Sequence, residues 1–114
     1  MLSVKLERMT DPMTFAEELE VLCDQASFTM ADLAAWCDID YSAIRSWVRD
    51  RVTPQPIRLR YLQKSLKLLR WAIDNEKGIP IPSHILRHDR SQYVKQVRDY
   101  ARRVSKISAS DARV

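Results

Sequence analysis

One glycine serves the whole chain of 114 residues. Hairpin turns need residues that take positive φ without strain, and glycine is the main one. With only Gly78 and five prolines, the chain cannot supply the many tight turns of a sandwich or barrel. An all-α fold is therefore expected. Apolar residues at 46% and charged residues at 30% provide for one core, and the length suits one modest domain.

Apolar spacing locates the helices. Phe15, Leu19, Leu22 and Ala26 recur at helical intervals, with Glu17, Glu18 and Glu20 off that stripe, which predicts a first helix over 12–25. Asp11-Pro12 can start it, or Thr14 with Glu17 as a capping box. Residues 1–10 read as an arm. Thr29, with Asp32 three positions on, caps a second helix over 30–37 that turns Met30, Leu33, Ala34 and Cys37 inward, with Trp36 near that stripe. Asp38 then fills a turn position that calls for positive φ, which aspartate tolerates. Ile39 is an apolar plug, and Asp40 has the chemistry to cap a third helix over 41–50. In that helix Ile44 and Trp47 face inward, while Tyr41, Ser42, Arg45, Ser46 and Arg49 fall outside the stripe.

Thr53-Pro54-Gln55-Pro56 breaks the chain again. From Ile57 to Lys77, Leu59, Leu62, Leu66, Leu69 and Ile73 form one apolar face, which read as a coiled-coil seam is a candidate homodimer face. Gly78 to Pro82 reads as a helix stop and a stiff spacer. Beyond it, residues 83–114 read as a basic extension. Ser91 is expected to cap a helix there over 92–106, with Tyr93, Val97, Tyr100 or Ala101, and Val104 on one face. The expected organisation is thus a domain of about four helices over 1–77, a spacer over 78–82 and a C-terminal helical extension.

Charge divides along the same line. Residues 1–44 hold two basic residues against nine acidic ones, a net of −7, and the remaining 70 hold 17 against six, a net of +11. A basic half of that strength suits an anionic partner, nucleic acid foremost. Small residue Ala34, turn residue Asp38 and one-sided anchors Ile39, Ile44 and Trp47 are what two helices need if the second is to keep its far side free for the major groove.

On these residues, segment 29–54 resembles the helix-turn-helix of the phage-repressor family, the Cro/CI or XRE-like regulators. Leu33, Ala34, Ile39, Ile44, Trp47 and Pro54 carry the likeness. Asp38 and Asp50 stand where that family usually has glycine. The resemblance implies double-stranded DNA as partner, with Tyr41, Ser42, Arg45 and Ser46 meeting base edges. Arg45 is the candidate for a bidentate bond to guanine. It further implies phosphate contacts from Arg49, Arg51, Thr53, Gln55, Arg58 and Arg60. Arg87, Arg90, Arg98 and Arg102 make a candidate second DNA contact. The implied use is transcriptional repression or regulation as a homodimer, of phage or mobile-element type, in the cytoplasm and without a cofactor. Two other readings stand beside it. One is a packaging or recombination factor such as a small terminase ring. The other is a protein-interaction module that uses the acidic half.

Other chemistry finds little support in the sequence. Cys23 and Cys37 lie too far apart for a zinc pair, and they read as reduced core thiols. His84 and His88 suit a surface helix face, so no metal site is expected. There is no Gly-rich phosphate loop and no recognisable set of nucleophile, base and orienting group, so neither an enzyme nor a small-molecule substrate is expected. No apolar run is long enough for a membrane span.

Overall fold

A computed structural model describes residues 14–105, and five α-helices account for most of them. They are α1 (Phe15–Ala26), α2 (Met30–Cys37), α3 (Tyr41–Arg49), α4 (Pro56–Asp74) and α5 (Arg90–Ser105), with a 3₁₀ turn at Arg87–Asp89. The fold is all-α, with four helices and a C-terminal fifth. The described residues contain no strand. None of their helices is long and apolar enough to cross a membrane.

Helix starts follow their capping chemistry. Thr14 and Glu17 form a reciprocal capping box at α1, and Thr29 and Asp32 form another at α2. The alternative start at Asp11-Pro12 lies outside the described residues. Pro56 occupies the first turn of α4, where its missing N–H is no loss. Helix ends show how a chain with one glycine stops a helix. Ser27, Asp38 and Glu76 all take left-handed φ of 51–57° and close the ends of α1, α2 and α4. In each case the next N–H reaches back to the carbonyl of a residue five earlier: Phe28 to Cys23 at 2.8 Å, Ile39 to Ala34 at 3.0 Å, Lys77 to Ala72 at 2.9 Å. α4 therefore ends at Asp74, earlier than the glycine suggested.

A single core joins all five helices. Leu19 and Leu22 of α1, Leu33 and Trp36 of α2, Ile44 of α3, Leu62, Leu66 and Leu69 of α4 and Val94 and Ala101 of α5 are all buried within it. Trp36 is fully buried and satisfies its indole by donating to the Ser65 carbonyl at 2.8 Å. Phe15 meets Trp47 edge to face at 6.1 Å, which ties α1 to α3.

This core corrects two expectations. Leu62, Leu66 and Leu69 are 0–2% exposed in the isolated chain, and Leu59 and Ile73 are half-buried, so the expected dimer face is consumed by α4's own neighbours. The expected spacer is packed as well. Ile79 and Ile81 are buried, and the Ile81 N–H donates to the Ala26 carbonyl at 3.1 Å. Gly78 has φ of 84°, and a Cβ there would stand 3.1 Å from a Val97 methyl. The chain needs this glycine where α5 closes on the loop, not to stop α4. α5 itself starts at Arg90, so Ser91 lies inside it and is not its cap. Ala101 rather than Tyr100 turns inward.

Candidate nucleic-acid interface

α2, the Asp38–Asp40 turn and α3 form the unit that the sequence singled out. Ala34 is buried where the turn folds back on α2, and its carbonyl accepts from Ile39. The αL conformation of Asp38, at φ 56° and ψ 50°, makes that reversal. The Tyr61 hydroxyl adds a bond from α4 to the Cys37 carbonyl at 3.0 Å, which sequence reasoning missed because nothing local marks it. The turn is thus held from α2 and from α4.

α3 has two distinct faces. Ile44 and Trp47 are buried. On the other side Tyr41, Ser42, Arg45, Ser46, Arg49 and Asp50 line one shallow, open concavity. The four residues expected at base edges are therefore brought together on one surface, and Arg45 and Tyr41 are exposed on it.

Three details differ from expectation. Asp40 occupies the N-cap position of α3, but its carboxylate makes no capping bond. Its carbonyl alone accepts, from Ala43 and Ile44. Asp50 keeps a right-handed backbone at φ −94°, and the left-handed residue is its neighbour Arg51 at φ 56°. The place of the family's glycine is thus offset by one residue. Asp50 also turns its carboxylate onto the exposed face, where Ser46 Oγ lies 3.4 Å away.

The residues expected at phosphates divide by partner. Arg49, Thr53, Gln55 and Arg60 are exposed. Arg51 pairs with Glu20 of α1 at 3.2 Å, a surface ion pair that water and salt weaken. Arg58 rests on the Trp47 ring at 5.9 Å, a cation–π contact that fixes its stem beside α3.

In α5 the candidate second contact splits. Arg90 brings Nε and Nη2 to Asp32 Oδ2 at 3.0 and 2.7 Å and donates to the Ser27 carbonyl at 2.7 Å. Arg98 is 12% exposed and donates to the Ala35 and Trp36 carbonyls at 3.1 and 3.5 Å. Both are spent on holding α5 against α2, so neither is free for DNA. Their positive charge is structural, answering the carboxylate at the N-terminus of α2 and the last-turn carbonyls at its C-terminus. Arg87 is exposed, and among the described residues Arg102 pairs with Asp99 alone, at 3.9 Å. Lys95, another basic residue of the extension, lines with Ser91 a groove that also contains Ala34, Asp38 and Asp40.

Cys23 and Cys37 are free thiols. Burial pushes Cys37 up to about 12, with Cys23 adding to the rise and Arg98 opposing it. Burial, then Asp32 and Glu20, push Cys23 up to about 11. Neither thiol is activated as a nucleophile or ligand. Among the described residues no three His, Cys, Asp or Glu side chains gather as a metal site would require. Comparison of the chain with protein-family models, with curated proteins and with solved structures finds no match.

Proposed function

We propose that this chain is a sequence-specific double-stranded DNA-binding protein that reads the major groove with α3. One observation carries the reading. α3 is anchored through Ile44 and Trp47, while Tyr41, Ser42, Arg45 and Ser46 share one open concavity on its far side. A short helix held from one side and presented beyond a rigid turn is the geometry that enters a major groove. Arg45 is the guanine reader, since its fork matches O6 and N7. Arg49 lines the same concavity, and it and the exposed Thr53, Gln55, Arg58 and Arg60 supply phosphate contacts that set register. Arg51 joins them on release from Glu20.

Regulation of transcription by occupancy is the use that fits. Two copies on an inverted repeat would add their half-site energies, and the half-site spacing would report the dimer geometry.

The test is selection of duplexes from a random pool at about 150 mM salt, where non-specific retention is weak. Enrichment of one motif, with two half-sites in inverted order, is expected. A pool that stays random and a retention that vanishes with salt would overturn the reading.

A further inference from the structure

Ser91, Lys95 and Arg102 stand on one stripe of α5, at helical spacings of four and seven residues that also include Arg98. Arg98 fixes where that stripe points. Its guanidinium donates to the Ala35 and Trp36 carbonyls in the last turn of α2. Lys95 therefore lies one turn before that contact and Arg102 one turn after it. Lys95 shares a groove with Ala34, Ala35 and the Asp38–Asp40 turn that leads into α3. Arg90 locks the first turn of α5 onto Asp32, so this placement is held at two points.

Lys95 is the informative member. It lines the same groove as Asp38 and Asp40, yet it forms an ion pair with neither, although a lysine stem is long and flexible. It makes no hydrogen bond within the described chain. Lys95 is exposed, and among the described residues its three donors are unused. Ser91, one turn earlier, is an exposed hydroxyl in the same groove. Among the described residues Arg102 has one ion pair, the long contact to Asp99.

We propose that Ser91, Lys95 and Arg102 bind phosphodiester groups of the duplex backbone next to the start of α3. The inference rests on the DNA reading above and extends it: the C-terminal helix becomes part of the interface and lengthens the footprint. The row reads no base. It holds the backbone so that α3 enters the groove at one angle, as phosphate contacts do.

The test uses the full chain and the duplex enriched by the wild type, with affinity measured over a salt series. Lys95→Ala and Arg102→Ala are each expected to weaken binding several-fold and to lower the slope of log K against log salt by about 0.9. The selected motif stays the same, Lys95→Arg restores the slope, and ethylation interference disappears at one phosphate per subunit. Both side chains are at the surface, so an unchanged thermal midpoint serves as the folding control. An unchanged salt slope in Lys95→Ala, with wild-type binding intact, overturns this inference alone. So does an effect of Lys95→Ala that vanishes in an Asp38→Asn/Asp40→Asn background, since Lys95 would then act only by offsetting those acids. If the wild type enriches no duplex, the DNA reading and this inference fall together.

Discussion

Arg90 sets two nitrogens on a single oxygen of Asp32, at 2.7 and 3.0 Å, although the two residues are 58 positions apart in sequence. The carboxylate is 5% exposed and also accepts from the Thr29 N–H at 2.8 Å, so one oxygen both caps α2 and anchors α5. The C-terminal helix is by this bond a structural part of the domain rather than an appendage.

Arg90→Ala leaves that buried carboxylate with the Thr29 N–H alone. The expected cost is about 2–3 kcal/mol in denaturant unfolding, the range for removing a charged hydrogen-bond partner. Arg87→Ala, three residues earlier and exposed, should fall within about 0.5 kcal/mol of the wild type. Equal effects would mean that α5 is not held at this point.

Gly78 is where the loop passes under α5. Gly78→Ala adds a Cβ 3.1 Å from Val97 and 3.2 Å from the Tyr93 hydroxyl, at a backbone φ of 84°. Strain and crowding together should destabilise the fold by about 1–2 kcal/mol. The same hydroxyl donates to the Gly78 carbonyl at 2.7 Å, so the substitution also disturbs that bond. Thermal unfolding would register the loss, and an unchanged midpoint would show that the loop has room.

The left-handed helix ends predict gains. Glu76 carries its φ of 51° with a full side chain that makes no hydrogen bond among the described residues, and the backbone bonds of this helix end do not need that side chain, so Glu76→Gly should stabilise by about 0.5–1 kcal/mol after the entropy cost of glycine. Asp38→Gly should gain less, because aspartate already tolerates that region. Urea midpoints for the two variants, measured side by side, test the order as well as the sign.

The thiols predict a pH dependence. Below about pH 8 both folded and unfolded chains keep these protons, and the thiols contribute no slope. Above the ordinary thiol value of 9.0 the unfolded chain ionises, while Cys23 stays protonated to about 11 and Cys37 to about 12. Folded stability must therefore decline as pH rises through that window. A Cys23→Ala/Cys37→Ala variant should lose less stability than the wild type between pH 8 and pH 10. At pH 8, Cys37 should react with a thiol reagent no faster than the chain opens.

Local chemistry made much of this fold legible. Threonine caps, an aspartate in the αL position and the spacing of Ile44 and Trp47 each act within a few residues, and the sequence displays them directly. What covers an apolar face is a different matter. The Leu62–Leu69 stripe has the same spacing whether its partner is another subunit or its own core, and only the path of residues 78–105 decides for the core. Charge is ambiguous in the same way. Arg90, Arg98 and Lys95 look alike in a basic tail, and only their distances to Asp32, Ala35 and Trp36 separate two structural arginines from an unpartnered lysine. The one-residue offset of positive φ from Asp50 to Arg51 was illegible because local propensity favours the aspartate over the arginine that adopts it.

The central claim is that Arg45 reads a base from the exposed face of α3. The direct measurement is a double-mutant cycle between Arg45→Ala and single base-pair changes along the duplex selected by the wild type, by equilibrium binding at constant salt. The account predicts a coupling of about 1–3 kcal/mol at one G·C pair and close to none elsewhere. Coupling spread evenly over all positions, or an Arg45→Ala loss that is the same on every duplex, would contradict it and leave α3 as scaffold.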